Sequence, residues 1–141
     1  MKYTLLVLLL MMARSIYSQD GSELERIGDL IWQNRVILVW SDQHTYYSQI
    51  FTEFSEEIED RDIVWFVIDD LELATNYAGQ ISDNFALEMA TRYSPQEAKV
   101  QLIGKDGGVK ERGESLDVDF LFGQIDRMPM RINEMKEKSN N

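Results

Sequence analysis

Two short runs without a polar residue, Val36–Trp40 (VILVW) and Ile63–Ile68 (IVWFVI), most narrowly limit what this chain can fold into. Both are too short for a buried helix and rich in β-branched and aromatic side chains, the pattern of strands covered on both faces. Between them Tyr47, Ile50, Phe51, Phe54 and Ile58 recur at spacings of three and four. Gln49, Thr52, Glu53, Glu56, Glu57 and Asp60 fall on the other side, so the segment reads as an amphipathic helix with a solvated acidic face. Strand, helix, strand at this separation is a βαβ unit, whose parallel strands are joined by a right-handed crossover.

The remaining chain extends this unit. A looser segment leads to an expected helix over 82–93, with Phe85, Met89 and Tyr93 on one face, closed by Ser94-Pro95. In AKVQLIGKDGGVKERG, Ala98, Val100 and Leu102 alternate with Lys99 and Gln101, and KDGG supplies turn chemistry that accepts positive φ. We expect a β-hairpin there. A final helix over 117–128 places Val118, Leu121, Phe122 and Ile125 inward, and Pro129 ends it; the charged segment MRINEMKEKSNN completes the chain with room for one more helical turn. The expected class is α/β, thioredoxin-like in order, β-α-β-α-β-β-α, with a central mixed sheet flanked by helices.

The ends read differently. Lys2, the apolar run Tyr3–Ala13 and the small residue Ser18 have the layout of a secretory signal, expected to cover 1–18. The run is well short of the roughly 20 apolar residues that span a bilayer. Residues 19–28 are expected as a flexible lead-in, 29–136 as the folded domain and 137–141 as a disordered tail. The expected location is secreted or periplasmic, with no membrane span in the mature chain. Loss of 1–18 would remove Lys2 and Arg14 and no acid, moving the formal charge from −11 to −13. So acidic a domain repels phosphate backbones, which argues against nucleic acid as a partner. The chain has no cysteine, so its stability comes from packing and thiol redox chemistry is excluded.

WQNRVILVW, RDIVWFVI, VQLIGKDGGVKERG and above all LFGQIDRMPMR resemble the DUDES-type domain of exported bacterial proteins and of some animal extracellular-matrix and sushi-repeat proteins. The resemblance runs from about Leu30 to Met135. It implies a thioredoxin-like fold distantly akin to peroxiredoxins, in a family with no assigned activity. No cofactor is expected.

In thioredoxin-like proteins the reactive cysteine sits where the first strand turns into the first helix, here SDQHTYYS. Matching the Cys-x-x-Cys pattern puts His44 and Tyr47 at the two thiol positions. Matching the peroxiredoxin pattern puts Ser41 at its proline, Thr45 at its threonine and Ser48 at its peroxidatic cysteine. Either way the thiol is gone, and a hydroxyl forms no sulfenic acid. The proline that precedes the third strand in that family falls near Lys99 here, not at Pro95. The turn therefore reads as a vestigial-site pocket of Ser41, Asp42, His44, Thr45 and Ser48, at a helix N-terminus that favours anions.

Three functional readings follow. The preferred one is a non-catalytic binding or structural module with an unidentified protein or small-molecule partner. A second is an enzyme using His44, oriented by Asp42, with a hydroxyl of Thr45 or Ser48; no GxSxG motif accompanies that pair. A degenerate peroxiredoxin-like protein belongs beside it. A third is an adhesion element working through its acidic helix face. No metal site is expected, since one histidine and scattered carboxylates match no metal-loop spacing. Met128, Met130 and Arg131 form a further candidate, a docking patch anchored by Arg131, set against simple packing of the thioethers on the core.

Overall fold

The computed structural model describes residues 22–70 and 72–141. The expected signal segment 1–18 lies outside the described residues. Strands β1 (Arg35–Trp40) and β2 (Ile63–Ile68) are the two apolar runs, paired in parallel from Arg35↔Ile63 to Trp40↔Ile68. The crossover between them is two helices, α1 (His44–Glu53) and α2 (Ser55–Asp60), divided at Phe54. The chain continues as β3 (Leu73–Thr75), α3 (Phe85–Arg92), β4 (Val100–Ile103), β5 (Val109–Gly113), α4 (Val118–Asp126) and α5 (Pro129–Ser139).

The sheet order is β3-β2-β1-β4-β5, with β1 antiparallel to β4, β4 to β5, and β2 to β3. This is the expected α/β architecture, a mixed sheet flanked by helices and consistent with a thioredoxin-like fold. The short edge strand β3 was not foreseen. Its residues Leu73, Ala74 and Thr75 are too few to show a period.

The sheet carries a hydrophobic layer on each face because its central strands point successive side chains to opposite sides. Ile37, Val39, Trp65, Val67 and Leu102 meet Phe51, Ile58, Leu121, Phe122 and Ile125 on one face. Val36, Leu38, Phe66, Ile68 and Ile103 meet Leu24, Ile27, Leu30, Phe85 and Met89 on the other. Leu24 and Ile27 belong to the stretch expected as a lead-in, yet both are buried, and Leu24 bonds through its backbone to Gln80 and Ser82. The two apolar side chains stand three residues apart in a short polar stretch, too few to mark an element.

Gln101, expected to alternate outward, is buried as well. β4 lies between β1 and β5 and is covered on both faces. The Gln101 amide donates to the carbonyls of Tyr93 and Ser94, fixing the segment that enters β4. Lys99 stands directly before β4, at the position assigned to it by counting back from the turn, and its carbonyl accepts from the Trp40 N–H. Gly107 takes φ 81° in the hairpin turn, as KDGG required.

Pro129 does not close the chain's helical part but opens α5 at its first turn, where a missing N–H costs nothing. The helix runs through Ser139, into the stretch expected as a tail, and Lys138 donates to the Asp60 carboxylate at 2.8 Å. An ion network fastens α5 to the lower end of the sheet. Arg131 is 2% exposed and reaches the Asp60 carboxylate, the Asp60 carbonyl and Asp126. Arg35, 1% exposed, forks onto Glu134 at 3.1 and 3.2 Å. Lys105 bridges Asp62 and Glu134 at 2.8 Å each, and Arg61 bonds Asp126.

These contacts predict an acid-sensitive fold. Hydrogen bonds from Lys138 and then Arg131 hold the Asp60 carboxyl down to about 2, against a usual 3.8. Burial works to raise Asp126 and Glu134, but Arg61 with Arg131, and Arg35 with Lys105, outweigh it and leave both lowered. Carboxyls lowered in the folded state bind fewer protons there than in the unfolded chain, so their stabilisation is complete above the unfolded values and lost below them. Urea midpoints are expected to stay level from neutral pH to about 5 and to fall between about 4.5 and 2. A decline already complete above pH 5 would place the acid sensitivity elsewhere.

Candidate functional site

The β1–α1 turn places the expected pocket residues at the carboxyl end of the parallel strands, where open α/β sheets bind ligands. Ser41 is tied to the sheet by its N–H, which donates to the Ile68 carbonyl at 3.0 Å. Its hydroxyl accepts from the Gln43 N–H at 3.1 Å, a local turn that starts α1. Asp42 is exposed and is not among the partners of His44. Orienting His44 falls to the β2–β3 connection. The His44 side chain, 12% exposed, has Nε2 at 3.2 Å from the Glu72 carbonyl and 3.9 Å from the Asp69 carboxylate, and Nδ1 at 3.5 Å from the Glu72 carboxylate. The partners come from residues 69–72, not from Asp42 or Ser48.

His44, Thr45 and Ser48 do come together, lining an open groove of about 690 Å³ with Gln49, Thr52, Glu53 and Ala74. Thr45, Ser48, Gln49 and Thr52 follow the i, i+3, i+4, i+7 spacing of one helix face, so α1 presents a stripe of short hydrogen-bonding side chains. Thr52 spends its hydroxyl proton on the Ser48 carbonyl at 2.7 Å. The buried flank of α1 carries Phe51, stacked on Trp65 with ring centroids 4.8 Å apart, which anchors the helix on the sheet beside β3. Gln49, Thr52 and Glu53 were legible only as part of a solvated face. What makes them a groove wall is Ala74, on a strand the sequence did not announce.

Across the sheet edge lies a second hollow of about 350 Å³, lined by Asp69, Asp70, Glu72, Leu73, Ile81, Ser82, Asp83, Phe85 and Ala86. Among the described residues, neither hollow has a lysine or arginine in its wall. Among the described residues no group of three or more His, Asp or Glu side chains is arranged to hold a metal ion. No helix among them is long and apolar enough to cross a membrane.

The other candidate, the docking patch, does not assemble. Arg131 is inside the ion network, Met128 packs on the core, and Met130 alone of the three is exposed. The guanidinium points inward because Asp60, Asp126 and Glu134 converge on it, and carboxylates so far apart in sequence gave no sign of doing so.

Fold and groove together define an α/β domain with a polar, acid-rimmed groove at one edge of its sheet. Residues 26–134 match the family model described as Domain of unknown function (DUF4174), and the chain belongs to that family. No curated protein and no solved structure matches it.

Proposed function

We propose that this chain is an extracytoplasmic binding module on a thioredoxin-like scaffold of the DUDES type, and that it works without redox catalysis. The observation that carries the reading is the α1–β3 groove, whose wall is a continuous stripe of Thr45, Ser48, Gln49 and Thr52 beside His44. Hydrogen-bonding groups in a concave surface at the end of the parallel strands suit recognition. The absence of cysteine removes the scaffold's sulfur chemistry. Occupation of the His44 ring by Glu72 and Asp69 supports positioning of the β2–β3 connection over service as a base for Ser48. The signal-like start of the sequence supports export.

Affinity capture with the mature domain from its native extract tests this reading. Wild-type protein is expected to retain a component that His44→Ala/Ser48→Ala protein loses, with both proteins folded to the same extent by circular dichroism. Equal retention by the two would remove the groove from the account. Peroxide turnover by the purified cysteine-free domain would remove its non-catalytic part.

A further inference from the structure

The edge strand β3 borders the groove through Ala74. The Ile68 carbonyl faces β1, where it accepts from Ser41, whereas the Trp65 N–H and the Ile63 carbonyl face outward and are met by the Asn76 side-chain amide. Backbone groups alternate in direction along a strand, so Val67 faces β3 and exchanges its hydrogen bonds with Ala74, directly opposite it. Leu73 and Thr75, opposite Ile68 and Phe66, therefore turn their N–H and C=O groups away from β2. β3 is the end of the described sheet, so these groups form an open edge.

Both hollows flank that edge. Ala74 belongs to the α1 groove on one face, and Leu73 to the acidic hollow on the other. A strand laid beside β3 would send alternate side chains into each, because successive residues point to opposite faces. One set would meet the hydroxyls and amide of Thr45, Ser48 and Gln49. The other would meet Asp70, Glu72 and Asp83, in a wall with no lysine or arginine among the described residues.

We propose that the β3 edge takes an extended peptide by strand addition, and that the peptide alternates basic residues with small polar ones. The inference rests on the binding-module reading and deepens it by naming the partner's chemistry. Main-chain hydrogen bonds to Leu73 and Thr75 supply affinity, and the hollows on either side supply the sequence preference. A second copy of this chain is a poor occupant, since a β3–β3 contact would bring the Asp69–Glu72 carboxylates and the strongly acidic domains together.

The test uses the mature chain and synthetic decapeptides of repeating Lys-Thr, repeating Glu-Thr, and Lys-Thr N-methylated at every second residue, followed by amide NMR. The Lys-Thr peptide is expected to bind and to shift the amides of Leu73, Ala74, Thr75, Ser48 and Gln49. N-methylation, which keeps the charge but removes main-chain donors, is expected to weaken it at least about tenfold. Glu-Thr is expected not to bind. Equal binding of the N-methylated peptide, shifts that map to another surface, or self-association through the β3 amides would each overturn strand addition. Should the Lys-Thr peptide fail while extract capture still depends on His44 and Ser48, strand addition falls and the groove reading stands; should that dependence also be absent, both fall.

Discussion

Arg131→Ala is expected to lower unfolding free energy by about 3 kcal/mol, at the lower end of what removal of one partner from a buried ion pair costs. The guanidinium is almost fully enclosed, and it holds Asp126 in a position that also binds Arg61. Removing it leaves Asp126 and Glu134 crowded at the root of α5 with one cation fewer, while Lys138 and Arg61 keep part of the network. The partners are partly exposed, which limits the cost. Arg131→Lys is expected to fall between, since a lysine keeps the charge but loses the fork that spans Asp60 and Asp126. Urea unfolding of the three proteins at neutral pH measures both differences. A loss under about 1 kcal/mol, the worth of an ordinary exposed pair, would show that α5 is held by its apolar contacts instead.

Phe51→Ala is the other large effect, with about 3–5 kcal/mol expected for truncation of a buried phenylalanine. Phe51 is 1% exposed and stacks on Trp65 at an interplanar angle of 16°. Its removal opens a cavity between α1 and β2, in the layer that presses the hydroxyl stripe toward Ala74. The functional consequence separates it from Arg131→Ala. Both variants lose stability, but only Phe51→Ala is expected to reduce extract capture under conditions where each remains folded. Calorimetry paired with capture below the melting range would test this, and equal capture by both variants would uncouple the groove from the α1 anchor.

How far the sequence disclosed this depends on whether a feature is local. β1, β2 and the inward face of α1 are read from uninterrupted or periodic apolar residues, because burial acts on each segment independently of its partners. The KDGG turn is equally local, since positive φ at Gly107 is a property of a few backbone atoms. Pro129 was ambiguous: it ends one helix or begins another with the same ring geometry, and the contacts of Arg131, Glu134 and Lys138 with the rest of the fold show that α5 follows.

The site was half legible. Ser41, Asp42, His44, Thr45 and Ser48 were singled out by their place after β1, and the structure gathers His44, Thr45 and Ser48 in one wall. Asp69 and Glu72, the groups that meet His44, sit more than twenty residues away on a connection without a recognisable motif. Arg131 shows the opposite failure. Its charge suggested an exposed anchor, whereas carboxylates from α2, α4 and α5 make its burial tolerable.

The central proposal is that recognition takes place along the α1–β3 edge, and amide hydrogen exchange of the domain with and without a captured component tests it most directly. The account predicts slowed exchange over 73–75 and along 44–53, with the α5 end of the molecule unchanged. Protection confined to α5 or to the β5 edge, with 73–75 exchanging as freely as before, would contradict it.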